Sequence, residues 1–186
     1  MSKSSVLAVA VAAVLVIAGF AAVRGFAADD SSSMPQVGDS APNFTLPNEE
    51  NQQVSLHQYR GHWVVLYFYP KDMTTGCTIE AHNFQRDLDQ YKALNAVILG
   101  VSVDTVDSHK QFCAKDSLTF TLLADPSKNV VKEYGSLGNF GPMQIAKRNT
   151  FLINPKGHVV QVWTGVDPNT HSAAVIAALK DLEHKG

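Results

Sequence analysis

Apolar runs and helically spaced apolar positions alternate along most of this chain. Strands are predicted at the apolar runs 43–46, 53–55, 63–68, 97–103, 121–124, 150–153 and 158–163. Helices are predicted at 78–94, 106–115, 129–134 and 171–182, where apolar residues recur every three or four positions. The turn residues Asn154 to Gly157 predict a hairpin between the last two strands, and Gly135 to Met143 is expected to be a loop. This order predicts one α/β sandwich domain.

Cys77 lies between the strand at 63–68 and the helix that follows it. Pro70 ends the strand, because proline has no backbone N–H to donate. The helix begins so soon afterwards that Cys77 falls in its first turn, where unpaired amides and the helix dipole favour a thiolate. Cys77 is therefore the candidate nucleophile.

The residue three positions after Cys77 separates two kinds of thiol chemistry. A disulfide oxidoreductase of thioredoxin type needs a second cysteine there, so that one thiol attacks and the other resolves. Glu80 occupies that position. The remaining chemistry for one activated thiolate is attack on an electrophile such as a peroxide, through a sulfenic acid.

One pattern carries a family resemblance: Pro70-x-x-x-Thr74-x-x-Cys77, with Glu80 three positions on and Arg148 far downstream at the start of a strand. It resembles the active site of the peroxiredoxins, specifically the peroxiredoxin Q (bacterioferritin comigratory protein) subfamily. The resemblance runs from about Val37 to the C-terminus. It implies a thioredoxin-like fold with an N-terminal β extension and a central mixed sheet flanked by helices. The implied activity is thiol-dependent reduction of hydrogen peroxide and organic hydroperoxides, without a cofactor.

The resemblance also implies a role for each residue of the pattern. The Thr74 hydroxyl and the Cys77 amide bind the peroxide oxygens, Arg148 activates the thiol and orients the substrate, and Pro70 shields the sulfur from water. Glu80 holds Arg148 by a charge-assisted pair. Taken alone, Arg148 fits a solvated charge at a strand entry, and Glu80 fits an ordinary acid in a first helical turn.

Cys113 lies on the predicted helix 106–115, on one face with Val106 and His109. The subfamily commonly places its resolving cysteine five residues after the reactive one, but His82 stands there. Other members carry it on the next helix, which implies a Cys77–Cys113 disulfide recycled by a thioredoxin-like dithiol donor. The alternatives are a one-cysteine peroxidase resolved by an external thiol, and a redox sensor or disulfide relay protein.

The N-terminal segment is unlike the rest of the chain. Residues 6–23 form an uncharged apolar run, longer than the roughly 7–15 residues of a signal-peptide core and just within the ~17–25 that span a bilayer. Residues 1–27 are therefore predicted to be a signal peptide or an N-terminal membrane anchor, with cleavage favoured by the small residues Gly25 and Ala27 on either side of Phe26. Residues 28–37 are predicted to be a polar linker, and 38–186 the domain. The enzyme is expected to be exported, either periplasmic or anchored facing outside the cytoplasm.

Composition excludes several other functions. The chain has 186 residues, a formal net charge of −2 and no cluster of Lys and Arg, which argues against nucleic-acid binding. Its seven histidines show no metal-ligand spacing, so they are expected to be surface or hydrogen-bonded residues. Two cysteines are compatible with an oxidising compartment. The subfamily resemblance implies a monomer.

Overall fold

The structure is a computed structural model that describes residues 34–183. The predicted export segment and most of the predicted linker lie outside the described residues. Within residues 34–183, no helix combines the length and apolar character needed to cross a membrane.

The described chain folds into nine strands and five α-helices. The strands are β1 (Thr45–Pro47), β2 (Gln53–Ser55), β3 (Trp63–Phe68), β4 (Ala96–Ser102), β5 (Thr121–Ala124), β6 (Leu137–Phe140), β7 (Met143–Ala146), β8 (Asn149–Ile153) and β9 (Val159–Thr164). The helices are α1 (Thr75–Arg86), α2 (Leu88–Ala93), α3 (Val106–Asp116), α4 (Asn129–Glu133) and α5 (His171–Glu183), and a short 3-10 helix spans Leu56–Tyr59.

Five strands form a central mixed sheet in the order β5-β4-β3-β8-β9. Strands β3, β4 and β5 are parallel, whereas β8 runs antiparallel to both β3 and β9. Strand β3 lies in the middle, and its residues from Val64 to Phe68 are all buried, as expected of an apolar run covered on both faces. The β1–β2 pair forms the N-terminal extension. The predicted thioredoxin-like α/β fold is confirmed.

Alternate residues of β3 enter two different apolar cores, because successive strand side chains point to opposite faces. Leu66 and Phe68 belong to the core that also contains α4 residues, whereas Val65 and Tyr67 belong to the core with residues of α1, α3 and α5. Full burial of one such side chain contributes about 1.5–3 kcal/mol. Cys77 lies in the second core, so the sulfur of the candidate nucleophile is packed into the main body of the domain.

The predicted helix at 78–94 is in fact two helices, α1 and α2, which meet at Asp87. This residue has φ −93° and ψ 5°, outside helical geometry. Its buried carboxylate accepts a hydrogen bond of 2.8 Å from the Ser172 hydroxyl on α5 and pairs with Arg86. The break therefore follows from a tertiary contact that apolar spacing does not reveal.

The prediction of a loop from Gly135 to Met143 was wrong. Strands β6 and β7 form a hairpin there, and Gly141 adopts φ +61° in its two-residue connection. The side chains of Phe140 and Met143 are exposed, so the alternation of buried and exposed positions that marks a strand is absent at the hairpin tip.

Candidate active site

Cys77 occupies the first turn of α1, directly beyond the end of β3, as predicted. Thr74 is the N-cap residue, with extended backbone and no capping hydrogen bond from its side chain. The first intrahelical bond runs from Thr78 N to Thr74 O at 2.9 Å. The amides of Thr75, Gly76 and Cys77 precede it, so this helix end provides N–H donors and positive potential beside the sulfur.

Arg148 is brought to Cys77 by the register of the central sheet. Strand β8 is antiparallel to β3, and Asn149 pairs with Phe68. The residue before Asn149 therefore lies at the edge of the sheet where β3 ends and α1 begins. Arg148 Nη2 donates to Cys77 Sγ at 3.4 Å, and Arg148 Nη1 forms an ion pair with Glu80 Oε2. The guanidinium thus joins the reactive sulfur and the buried carboxylate, as the family resemblance implied.

Gly76 provides the space that Arg148 occupies. A Cβ at this position would lie 3.1 Å from Arg148 Nη2 and 3.7 Å from Pro168 Cγ. The first of these separations is tighter than most Cβ contacts, so a larger residue would displace the guanidinium from the sulfur. The sequence alone gave Gly76 no role of its own. Its role becomes visible only in the fold, where Arg148 from a distant part of the chain lies close to the Gly76 backbone.

Glu80 is almost completely buried, and only one of its carboxylate oxygens is paired. Burial raises the pKa of Glu80 from 4.5 to about 7, although the charge and hydrogen bond of Arg148 pull it down. Its Oε1 atom is buried without a hydrogen-bond partner in the described part of the chain. Removing this carboxylate from water is costly, and its contact with Arg148 points to a role in holding the guanidinium.

The raised pKa of Glu80 makes the stability of the protein depend on pH in a defined direction. Between pH 4.5 and about 7, the folded chain keeps a proton that the unfolded chain releases, so its free energy of unfolding falls as pH rises. We expect the stability of Glu80→Gln to rise relative to wild type across this window, by at most about 1.4 kcal/mol per pH unit. Urea unfolding at a series of pH values measures the difference.

The matched control for this titration is Glu50→Gln, because the Glu50 side chain is 60% exposed. Its stability should follow that of wild type at every pH. A difference between Glu80→Gln and wild type that is independent of pH contradicts the assignment.

Thr74 and Pro70 lie in the segment that connects β3 to the first turn of α1. The exposed Thr74 hydroxyl donates to the carbonyl of Lys71 at 3.0 Å, so its oxygen lone pairs remain available as acceptors. Half-buried Pro70 and Arg148 line a cleft of about 600 Å³, which the exposed Phe140 also borders. In the described residues, no group of three or more His, Cys, Asp or Glu side chains is arranged to hold a metal ion.

Cys113 lies on α3, one turn after the buried His109, and is partly buried. Cys77 and Cys113 are both free thiols on separate helices, packed against the same apolar core. Burial, together with the nearby carboxylates of Glu49, Asp72 and Glu50, raises the pKa of Cys113 to about 12. In this conformation Cys113 is a neutral thiol at physiological pH, and hence a poor nucleophile.

Asp72 and His109 form a buried polar pair that sequence reasoning did not identify. Asp72 lies in the loop between β3 and α1, and its carboxylate pairs with His109 Nδ1 at 2.8 Å. The same carboxylate accepts hydrogen bonds from Tyr69 Oη at 2.6 Å and Ser108 Oγ at 2.7 Å. The sequence offered one indication of this pair, which is that each residue lies near a cysteine. Asp72 lies in the loop before Cys77, and His109 lies four residues before Cys113.

Comparisons with known proteins identify the family of this chain. Residues 37–162 match the AhpC/TSA family. Peroxiredoxin Bcp of Bacillus subtilis is 37% identical over 154 residues, which cover 81% of this chain and 98% of that protein. Peroxiredoxin Bcp of Xanthomonas campestris is 43% identical over 148 residues, 75% of this chain and 91% of its own. A crystal structure of a mutant PrxQ from Xylella fastidiosa has a TM-score of 0.78 at 34% identity, covering 81% of this chain and 99% of its own. The chain therefore belongs to the AhpC/TSA family and, within it, to the peroxiredoxin Q (Bcp) subfamily of thiol peroxidases.

Proposed function

We propose that this peroxidase reduces hydrogen peroxide and organic hydroperoxides through Cys77, and that Cys113 resolves the oxidised enzyme as an intramolecular disulfide. The observation that carries the proposal is the contact of Arg148 Nη2 with Cys77 Sγ at the N-terminus of α1. A guanidinium and free helix amides around one sulfur provide positive charge and hydrogen-bond donors for a negatively charged oxygen. A relative of known structure also supports the reduction of organic hydroperoxides. The structure of the Xanthomonas campestris bacterioferritin comigratory protein is described in terms of the alkyl peroxide reduction activity of that protein.

In the first step the Cys77 thiolate attacks the terminal oxygen of the hydroperoxide. The sulfur–oxygen bond forms as the O–O bond breaks, and the departing alkoxide or hydroxide takes up a proton to leave as alcohol or water. Cys77 becomes a sulfenic acid. Negative charge grows on the departing oxygen, where Arg148 and the Cys77 amide are suited to stabilise it. Because the Thr74 hydroxyl already donates to the carbonyl of Lys71, its oxygen binds the peroxide by accepting a hydrogen bond from the peroxide hydroxyl.

In the second step Cys113 attacks the sulfur of the sulfenic acid. The disulfide forms as the sulfur–oxygen bond breaks. The sulfenic hydroxyl combines with the proton of the Cys113 thiol and leaves as water. A disulfide requires Cα atoms within about 7 Å, and the two free thiols lie on separate helices, so the proposed step includes local opening of α3 and of the start of α1. Opening exposes Cys113 to water and moves it away from Glu49 and Asp72, which removes the causes of its raised pKa.

A dithiol donor of thioredoxin type completes the cycle. Its thiolate attacks the Cys77–Cys113 disulfide, its second thiol displaces the enzyme from the mixed disulfide, and the donor leaves oxidised. Both enzyme thiols are then restored.

Intact-mass spectrometry after one equivalent of hydrogen peroxide tests the role of Cys113. We expect wild type to lose two hydrogens, whereas Cys113→Ser gains one oxygen on Cys77 and reacts with a sulfenic acid reagent. The physical reason is that serine cannot form the second sulfur bond.

Steady-state assays with a generic dithiol separate the alternatives. Identical oxidised products from wild type and Cys113→Ser, with equal turnover, would assign the chain to peroxidases resolved by an external thiol. A single oxidation event without turnover in wild type would identify a redox sensor instead.

We also propose that residues 1–27 export the enzyme and either are cleaved or remain as an anchor. The support is the uncharged apolar run at 6–23, flanked by Lys3 and Arg24. In cells that express the full chain, we expect the domain to be accessible outside the cytoplasmic membrane, and Val14→Arg to retain it in the cytoplasm. Equal cytoplasmic amounts of both proteins in fractionated cells would contradict the proposal.

A further inference from the structure

Two chain segments that move in the proposed second step are joined by polar contacts, of which the pair of Asp72 and His109 is the most deeply buried. Asp72 belongs to the loop that leads into Cys77, and His109 lies one helical turn before Cys113 on α3. Both side chains are almost fully buried, Asp72 at 3% exposure and His109 at 0%. The pair therefore connects the reactive-thiol segment with the resolving-thiol segment inside the domain.

The hydrogen bonds around Asp72 identify how the pair is held. An ionised carboxylate only accepts, so His109 Nδ1 carries the proton of their 2.8 Å hydrogen bond. The Ser108 hydroxyl of the same helix donates to the same oxygen at 2.7 Å. Burial opposes ionisation of Asp72, but hydrogen bonds from His109, Tyr69 and Ser108 outweigh it and hold the pKa of Asp72 below its usual value. The contact is thus charge-assisted and stronger than a neutral hydrogen bond.

We propose that Asp72 and His109 are positioning residues that form a latch, which holds the Cys77 loop against α3 for the peroxide reaction and breaks to let Cys113 reach Cys77. This inference rests on the proposed resolving role of Cys113. His109 and Cys113 lie one turn apart on the same face of α3, so unwinding that includes the turn between them breaks the bond from His109 Nδ1 to Asp72. The latch thereby sets how often the enzyme opens.

The second ring nitrogen of His109 lowers the cost of opening. Nε2 is buried and has no hydrogen-bond partner in the described part of the protein. A polar atom left unpaired in the interior is unfavourable, and exposure to water satisfies it. The closed latch therefore combines one strong hydrogen bond with one unsatisfied atom, an arrangement that permits opening and closing during each catalytic cycle.

Rapid-quench kinetics on His109→Leu tests the latch. Leucine keeps an apolar side chain in the buried site but cannot hydrogen-bond Asp72. We expect disulfide formation after peroxide oxidation to accelerate about tenfold, since the lost hydrogen bond is buried and charge-assisted. Sulfenic acid formation should change less than disulfide formation. The fraction of Cys77 that excess peroxide converts to sulfinic acid should fall, because the sulfenic acid persists for a shorter time.

Two matched variants separate the latch from general packing. His109→Asn places an amide donor near the position of Nδ1 and should restore a slower disulfide step, whereas His158→Leu makes the same change at an exposed histidine and should match wild type. Ser108→Ala removes a second hydrogen bond to Asp72 and should accelerate the disulfide step in the same direction, by a smaller factor. It serves as the test if His109→Leu does not fold.

The outcomes distinguish the latch from the proposed function. If wild type forms the Cys77–Cys113 disulfide and neither His109→Leu nor Ser108→Ala speeds it, the latch is refuted and the resolving role stands. If wild type forms no such disulfide, the resolving role and the latch both fail. Faster hydrogen exchange across α3 in reduced His109→Leu, with exchange in β8 unchanged, supports the latch before any peroxide is added.

Discussion

Replacing Cys77 with serine will reduce peroxide consumption to the background rate of the dithiol and peroxide mixed without enzyme. A serine hydroxyl is not ionised at neutral pH and is a far weaker nucleophile than a thiolate. The substitution is nearly isosteric, so the surrounding core, including Phe84 and Ala81, should remain packed. Hydrogen peroxide consumption with a generic dithiol donor measures the effect.

Cys113→Ser is the matched control for this experiment. This variant makes the same chemical change at Cys113, whose raised pKa keeps it neutral. We therefore expect the first equivalent of peroxide to oxidise Cys77 in Cys113→Ser at the wild-type rate. Residual turnover by Cys77→Ser above the background rate would show that another group reduces peroxide, and the assignment of the reactive sulfur would fail.

Replacing Arg148 with methionine will slow the reaction of Cys77 with peroxide by about 10²–10³-fold, the usual loss when one preorganised donor is removed from a developing oxyanion. Methionine retains much of the length and apolar volume of the side chain but carries no charge. It also leaves the buried Glu80 carboxylate without its cation, at 1% side-chain exposure. Stopped-flow measurement of the second-order rate constant with hydrogen peroxide tests the prediction.

The neighbouring residue supplies the control. Lys147→Met removes one positive charge from an exposed position beside Arg148 and should leave the rate constant within about twofold of wild type, because a solvated charge is screened. Arg148→Lys should be intermediate, since one ammonium group cannot reproduce the fork that contacts both Cys77 and Glu80. Equal rates for Arg148→Met and Lys147→Met would show that the guanidinium acts only as part of the general surface charge.

The parts of the site that were predictable from sequence are those set by local structure. Strand β3 was predicted to the residue, because its apolar run is long, uninterrupted and followed by Pro70. The position of Cys77 in a first helical turn follows from that boundary. Arg148 is different, since it is 71 residues from Cys77 and reaches it through the pairing of β8 with β3. Only the family resemblance indicated this contact from the sequence.

The features that sequence did not predict depend on tertiary contacts. The break between α1 and α2 at Asp87 accompanies a hydrogen bond from Ser172, 85 residues away. The pairing of Asp72 with His109 spans 37 residues, and neither residue type indicates a buried hydrogen-bonded pair when seen alone. Their burial depends on how α3 packs against the loop after β3, and hydrophobic periodicity does not encode that arrangement.

The acidic, half-buried surroundings of Cys113 determine which of the two sulfurs reacts first. While α3 stays folded, the raised pKa of Cys113 keeps this thiol neutral at physiological pH, so it reacts slowly with oxidants. Under the proposed mechanism, an oxidant therefore reacts first with Cys77. Cys113 becomes reactive when α3 unwinds, so the folding of one helix sets the sequence of the two sulfur reactions.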